Sequence, residues 1–186
     1  DKAACIVLGL PDCTEPAVPE HKEAPAHAGL FAASLPDDPL FVNFLDHDGT
    51  LFMKREWCET ELVRTEDGGY RVGTLDEVIY FTEEGILYRL PARVVKMTPV
   101  SPADPSLFEE GHYYDEETDA HVTLEKTENG CALCMLRYGK SELYRNAAGE
   151  NIFSFGPDLT MYVKPENGSL ILDGGRIKNI VLKKVD

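Results

Sequence analysis

The chain repeats itself with a period of about 82 residues, and no other feature of the sequence constrains its fold as strongly. Five landmarks recur in the same order. They pair residues 29–31 with 111–113, 48–53 with 129–135, 61–64 with 142–145, 84–85 with 167–168 and, more loosely, 93–96 with 178–183. Five matches in register indicate the duplication of one structural unit, so we expect two similar units in sequence.

Within each unit the apolar residues recur mostly at every second position, which is typical of β-strands. The first unit has predicted strands at 40–45, 50–55, 60–64, 70–73, 77–81, 86–90 and 93–97. The second unit has them at 112–114, 120–126, 131–137, 142–145, 151–155, 160–164, 169–172 and 178–184. Each unit therefore has seven or eight short strands.

Short turn sequences connect these strands: Asp48-Gly49, Gly68-Gly69, Asn129-Gly130 and Asn167-Gly168. Such pairs supply the positive φ of tight hairpins, so consecutive strands should be neighbours in the sheet. Closure of the sheet removes its two exposed edges. We therefore predict an all-β chain of two consecutive small antiparallel up-and-down β-barrels, lipocalin-like and about eight-stranded, with side chains filling their interiors.

Proline-rich segments mark the boundaries of the two barrels. Residues 99–105 contain three prolines, which lack a backbone donor and fix φ, so an extended linker is expected there. A second proline-rich stretch runs from residue 11 to residue 25. The predicted organisation is a remnant of a preceding helix with a linker at 1–25, a first barrel at 26–98, a linker at 99–105 and a second barrel at 106–186.

The chain is strongly acidic, with 33 Asp and Glu against 18 Lys and Arg and a formal net charge of -15. This charge repels phosphate backbones and anionic lipids, so we expect neither nucleic acid nor a membrane as a partner. No apolar run approaches the roughly 18 to 20 residues of a membrane span, and no basic leader opens the chain. Its five scattered cysteines favour free thiols in a reducing compartment, and we predict a cytoplasmic location.

The second unit, from residue 107 to 185, resembles the lipocalin-like C-terminal domain that follows serine beta-lactamase-like and D-aminopeptidase catalytic domains. The resemblance rests on Gly111-His112-Tyr113-Tyr114 with the acidic stretch 115–120, on the Asn129-Gly130 hairpin, on Glu142-Leu143 and on the closing segment 174–180. The aromatic residue usual in that closing strand is missing, since Val181 and Leu182 follow. The first unit resembles the same domain more faintly, through residues 29–31.

The resemblance implies that this chain is the tail of a larger hydrolase. Residues 3–11 are similar to the last helix and exit turn of such catalytic domains, and the chain has no initiator Met, so its start is expected to be cut. The D-aminopeptidase relatives carry two such barrels in tandem, and a barrel loop limits access to their active site. The partners implied are the preceding catalytic domain of the same polypeptide and, within the chain, the other barrel.

No catalytic motif of that family occurs in this chain. The family needs a Ser-x-x-Lys nucleophile motif, but no lysine lies three positions after any serine, at 34, 101, 106, 141, 154 or 169. Lys-Thr-Gly and Gly-x-Ser-x-Gly are also missing. We therefore predict a chain that is no enzyme by itself, with no catalytic residue, no cofactor and no metal site, and with ligand-binding residues unassigned.

Two short motifs are candidates for metal binding. Cys131 and Cys134 have the spacing of a redox or metal pair, but positions i and i+3 of a strand point to opposite faces, so a structural role is favoured. Asp46-His47-Asp48 could ligate a cation, but a hairpin turn rich in Asp and Gly explains it too and is favoured.

Other candidate residues have structural interpretations. Glu61 with Arg64 and Glu142 with Arg145 recur at matched positions and could form a polar cluster, although salt bridges or barrel-end caps are favoured. Residues 167–169 match a glycosylation acceptor but are interpreted as a hairpin turn. The aromatic residues interpreted as core or barrel-lining side chains, rather than as ligand platforms, are Trp57, Tyr113 and Tyr114.

Three functions remain open. The leading hypothesis is a non-catalytic accessory module that packs on a serine hydrolase domain and shapes the entrance of its active site. The alternative is an independent lipocalin-like protein that holds a small apolar ligand in one barrel, which the short strands disfavour. The third, an esterase in its own right, lacks the required motifs.

Overall fold

The computed structural model describes residues 16–33, 39–55, 58–155, 159–174 and 177–185. Most of these residues lie in β-strands, which are joined by turns and one turn of 3-10 helix. The all-β prediction is confirmed. No helix in the described part of the chain has the length and hydropathy needed to cross a membrane.

The first barrel contains eight strands in simple up-and-down order. They are β1 (Gly29–Ala32), β2 (Phe41–His47), β3 (Thr50–Arg55), β4 (Cys58–Arg64), β5 (Tyr70–Val72), β6 (Val78–Thr82), β7 (Gly85–Leu90) and β8 (Arg93–Pro99). Each strand pairs antiparallel with the next, and β8 returns to β1 through the pairs Phe31 with Pro99 and Ala32 with Thr98. The predicted closed barrel is confirmed.

The second barrel is a nearly closed sheet of ten strands. They are β9 (Ser101–Pro102), β10 (Gly111–Asp115), β11 (Ala120–Thr127), β12 (Gly130–Met135), β13 (Gly139–Glu142), β14 (Tyr144–Arg145), β15 (Asn151–Ser154), β16 (Thr160–Glu166), β17 (Ser169–Gly174) and β18 (Ile177–Lys184). The order in the sheet is β13-β12-β11-β10-β18-β17-β16-β15-β14-β9. The short 3-10 turn, Pro105–Leu107, follows β9.

The single strand predicted at 142–145 is wrong, because the chain breaks its ladder at Leu143. The Leu143 amide donates to the Cys131 carbonyl at 2.8 Å, and the Leu143 carbonyl accepts from the Ala103 amide at 3.0 Å. The Ser141 side chain spans the break: its Oγ donates to the Ser154 carbonyl at 2.9 Å. The Ser141 side chain thus connects β13 to β15, two strands that backbone hydrogen bonds do not pair in the described residues.

The two barrels correspond strand for strand. When β13 and β14 count as one interrupted strand, β10 to β18 match β1 to β8 in order. Equivalent cross-strand pairs fill equivalent places: Phe44 faces Met53 across β2 and β3, and Leu124 faces Leu133 across β11 and β12. These four side chains are buried.

Two of the predicted hairpin turns have the expected geometry, and one is displaced. Asp48-Gly49 and Asn167-Gly168 have positive φ at both positions and join strands through two-residue loops. Asn129-Gly130 does not form the turn, which Glu128 and Asn129 occupy. Gly130 instead begins β12 with φ 156, and a Cβ there would lie 3.2 Å from the Ala103 carbonyl oxygen. The close approach of Pro102, in β9, and of Ala103 after it therefore explains this glycine.

Each barrel has its own filled core. In the first, the rings of Phe31, Phe44 and Phe81 pack with centroids 5.4 to 6.4 Å apart. In the second, Tyr113, Phe153 and the buried leucines of β11, β12, β17 and β18 fill the interior. The two clusters share no residue.

The segment predicted as a linker contributes to both barrels. Pro99 ends β8 of the first barrel, while Ser101 and Pro102 pair with Arg145 and Tyr144 as β9 of the second. Ala103 is buried in the second core. Residues 16–28 run along the first barrel, where the Ala24 amide donates to the Phe81 carbonyl at 3.0 Å. The predicted terminal helix remnant at 3–11 lies outside the described residues.

Candidate functional site

The two barrels touch along one side. The Phe41 ring of β2 packs on the Tyr144 ring of β14 with centroids 5.5 Å apart. The Tyr162 hydroxyl of β16 donates to the Ala33 carbonyl at 3.3 Å. Pro39 lies close to Gly174, since a Cβ on that glycine would be 3.0 Å from the Pro39 Cγ. These contacts leave a concave space beside them.

This space, the inter-barrel cleft, has a volume of about 780 Å³. It is lined by Leu40, Phe41, Val42, Asn43, Met53, Lys54, Arg55, Glu77, Tyr88 and Leu90 of the first barrel and by Arg137, Tyr138, Lys140, Ser154 and Phe155 of the second. Three of these, Val42, Met53 and Tyr88, also belong to the first core, so the cleft reaches the end of that barrel. Its size is that of a small-molecule site.

A polar group lies where the cleft meets the first core. The Arg55 Nη2 donates to the Glu77 Oε2, and it also donates to the Tyr88 hydroxyl at 2.9 Å. The Tyr88 hydroxyl in turn donates to the same Glu77 oxygen. Arg55 ends β3, Glu77 precedes β6 and Tyr88 lies in β7, so three segments of the barrel are tied together.

The protonation of this group follows from its environment. Burial, together with the hydrogen bond to Glu77, raises the pKa of Tyr88, so its hydroxyl keeps its proton. Burial acts against the charge of Arg55, but Tyr88 and Glu77 outweigh it and raise the pKa of the guanidinium. An ionised Arg55 and a neutral Tyr88 therefore persist at neutral pH.

The group has no counterpart in the second barrel. Counted from the equivalent hairpin turns, Arg55 corresponds to Met135 and Tyr88 to Leu172. Both counterparts are apolar and pack in the second core. The two barrels therefore differ at the end that faces the cleft, and the first is the polar one.

The lining of the cleft is basic in an acidic protein. Among the described residues, Lys54, Arg55, Arg137 and Lys140 face it, and Glu77 is the one acidic residue of the lining. Lys140 pairs with Glu125 at 3.0 Å, and this carboxylate raises the pKa of the ammonium group. Aromatic side chains stand beside the charges, and Tyr138 packs on Phe155 with centroids 5.8 Å apart. A basic and aromatic lining suits an anion with an apolar body.

The two cysteines of the predicted pair lie in different environments. Cys131 is fully buried in the second core, whereas Cys134 is partly exposed, and both are free thiols. Burial raises the pKa of both thiols. No group of three or more His, Cys, Asp or Glu residues within the described ranges could hold a metal ion.

The Asp46-His47-Asp48 segment is a turn, as favoured. The Asp46 Oδ1 accepts from the Gly49 amide at 2.7 Å, and Asp48 takes a positive φ of 55°. The His47 side chain does not join Asp46 and Asp48 in a cation site. Its Nε2 instead contacts the Glu59 Oε2 at 2.8 Å. The acidic residues of this loop therefore serve the hairpin.

The recurring Glu and Arg pairs do not form polar clusters. In the described residues no ion pair joins Glu61 to Arg64 or Glu142 to Arg145. Arg64 instead lies over the Tyr70 ring, with 5.9 Å to its centroid. Glu142 accepts from the Thr127 hydroxyl at 3.2 Å.

The aromatic residues predicted to lie in a core do not all do so. Tyr113 is a core residue, as predicted, and its hydroxyl donates to the Glu109 carbonyl at 2.5 Å. The prediction for Tyr114 is wrong, because the next residue of a strand points to the other face, and there its ring packs on His121 with centroids 4.5 Å apart. Trp57 lies outside the described residues. Residues 167–169 include the predicted hairpin turn.

Sequence reasoning missed the inter-barrel cleft. Its residues come from both units and become neighbours only when the barrels pack together. One local pattern pointed to it: Leu51, Met53 and Arg55 share one face of β3, so a charge follows two buried apolar residues. A charge on the inward face of a strand indicates a polar site at the barrel end.

No protein-family model matches the chain, and no curated protein matches it.

Proposed function

We propose that this chain is a non-catalytic accessory module, a pair of β-barrels that packs on a catalytic domain of the same polypeptide and shapes access to its active site. The observation that carries the proposal is that side chains fill both barrel interiors. Filled barrels act through their outer surfaces, and the inter-barrel cleft is such a surface. We propose a serine hydrolase, beta-lactamase-like or D-aminopeptidase-like, as the catalytic domain on the resemblance described above.

The hairpin between β12 and β13 is the segment that we assign to contact with that domain. Its tip exposes Leu136 fully, and Tyr138 is also exposed. Large apolar side chains at a turn favour contact with another protein surface. Arg137, between them, lines the cleft, so a domain docked on the hairpin would lie over the cleft.

The first test is the size of the native protein. An antibody raised against this chain would be used on a lysate of the source cells. We expect a band far above the 20.7 kDa of this chain. A band near 20.7 kDa would contradict the accessory role and favour an independent binding protein.

The second test uses the whole polypeptide and its hydrolysis of D-alanine p-nitroanilide and of p-nitrophenyl acetate. We expect Leu136→Ser to change KM for the larger substrate while kcat for the smaller one is kept, because the hairpin would limit access rather than react. The matched control is Val63→Ser, at an exposed valine of the first barrel. Equal kinetics for Leu136→Ser, Val63→Ser and the unmodified polypeptide would contradict the proposal that this hairpin limits access to the active site.

An independent binding protein is the second candidate, and the inter-barrel cleft is the observation that favours it. The filled interiors disfavour a ligand inside a barrel, so under this candidate the ligand would lie in the cleft.

A further inference from the structure

We propose that the inter-barrel cleft binds a small organic anion, a carboxylate attached to an apolar body. The inference holds for an accessory module and for an independent binding protein alike, because it concerns the cleft alone. Its test therefore needs only this chain.

The charge of the cleft selects an anion. Among the described residues, four basic side chains and one carboxylate line it. That carboxylate, Glu77, is paired with Arg55 and Tyr88, and Lys140 is paired with Glu125, so Lys54 and Arg137 supply the excess positive charge. The rest of the chain is strongly acidic. At physiological ionic strength distant charges are screened beyond about 8 Å, so a small anion in the cleft responds to the nearby basic groups. A long polyanion would meet the acidic surface and be repelled.

Arg55 is held ready to bind a carboxylate. All its hydrogen bonds within the described residues are made through Nη2, which leaves Nε and Nη1 as donors without a partner there. Glu77 and Tyr88 hold the guanidinium in place, so less side-chain entropy is lost when a ligand binds. Nε and Nη1 lie on different edges of the guanidinium, so each can donate a single charge-assisted hydrogen bond to a carboxylate oxygen.

The remaining lining suits an apolar body. Leu40, Phe41 and Leu90 lie on the first-barrel side, and Tyr138 and Phe155 face them from the second. The volume of about 780 Å³ accommodates an aromatic or short aliphatic chain. A hydrated inorganic anion would leave these side chains uncovered, so an amphipathic carboxylate fits better.

The experiment is a titration of this chain, labelled with nitrogen-15, with 4-phenylbutyrate, followed by amide chemical shifts. We expect saturable shifts at the amides of Tyr138 and Ser154, with a Kd of about 1 mM for a ligand of this size. The neutral 4-phenylbutyramide should bind at least about fivefold more weakly, because it lacks the charge. Acetate should bind more weakly still, because it lacks the apolar body.

Variants of exposed residues locate the site without loss of the fold. Arg137→Gln and Lys140→Gln should each raise Kd about three- to tenfold. Lys164→Gln is the matched control, because Lys164 also pairs with a carboxylate, Glu166 at 2.9 Å, but lies outside the cleft. The Kd of this variant should stay within about twofold of that of the unmodified chain.

Three results would overturn the proposal. The first is no saturable shift with phenylbutyrate while the spectrum remains that of a folded protein. The second is equal affinity for the carboxylate and its amide, which would indicate an apolar pocket without charge selection. The third is an equal rise in Kd for Lys164→Gln and the two cleft variants, which would indicate a general effect of net charge.

Discussion

Met135 and Leu172 of the second barrel occupy the positions that Arg55 and Tyr88 occupy in the first. At these two positions one barrel has ordinary apolar packing and the other a charged network. A partly buried charge of this kind is tolerated only while its partners remain. The chemistry of the cleft therefore depends on Glu77 and Tyr88 as well as on Arg55.

Tyr88→Phe should lower the free energy of unfolding by about 1–2 kcal/mol. The substitution keeps the ring but removes a hydroxyl that accepts from Arg55 and donates to Glu77 in a site where Tyr88 is 2% exposed. Urea unfolding followed by circular dichroism measures the change. Tyr70→Phe, at a partly buried tyrosine of the same barrel, is the control and should change the value by less than about 0.5 kcal/mol. Similar values for the two variants would mean that the network adds nothing to stability.

The same tyrosine predicts a dependence of stability on alkaline pH. Its pKa is raised above the ordinary value of 10.0 by burial and then by Glu77. Above about pH 10 the unfolded chain loses this proton while the folded protein keeps it, so the free energy of unfolding falls as pH rises. Below that pH both states keep the proton and the slope disappears.

Urea midpoints at about pH 9 and about pH 10.5 test this dependence. The fall between them should be smaller in Tyr88→Phe. A residual slope is expected from Tyr113, Tyr144 and the thiols of Cys131 and Cys134, since burial raises the pKa of these groups too. An unchanged fall in Tyr88→Phe would assign the whole effect to these other groups.

At the scale of strands, the local pattern predicted most strands and their order, because strands such as β3 and β17 alternate between buried and more exposed positions. It missed the short strands β1 and β9. It failed where distant segments decide the structure. The break at Leu143 depends on Cys131 of β12 and on Ala103, which follows β9. The displaced turn at Gly130 depends on β9, which proline content had assigned to a linker.

The Ser141 contact yields a prediction about how the second barrel is closed. Ser141→Ala removes the Oγ that donates to the Ser154 carbonyl, so β13 should separate more readily from β15. We expect a loss of about 1 kcal/mol and amide exchange about fivefold faster at Ser154, measured by hydrogen exchange. Ser101→Ala, on the exposed β9, is the matched control. If both variants exchange at the same rate, the closure does not depend on this side chain.

At the scale of the whole molecule, duplication made the fold predictable and left the site unpredictable. The repeat indicates two similar barrels but contains no information on how they pack. The inter-barrel cleft requires that packing, and its basic residues are spread from Lys54 to Lys140 along an acidic sequence. The inward position of Arg55 is the part of the site that the alternation along β3 could have indicated.

The Phe41 and Tyr144 contact should couple the two barrels energetically. In a double-mutant cycle with Phe41→Ala and Tyr144→Ala, we expect an interaction energy of about 0.5–1.5 kcal/mol, because the two rings pack at 5.5 Å. Urea unfolding of the four proteins measures it. Strict additivity would show that the ring contact does not stabilise this arrangement.

The junction at Pro99 and Ser101 also has a consequence for synthesis of the protein. Domains fold as units during translation, with the N-terminal one first. The first barrel has all of its strands once the ribosome has passed Pro99, and the next residues to emerge form β9, which later pairs with β14. The completed first barrel thus holds β9, the first strand of the incomplete second barrel. The strand that pairs with β9, β14, is synthesised about forty residues later. The order of synthesis therefore places the nascent second barrel beside the first before its own sheet is complete.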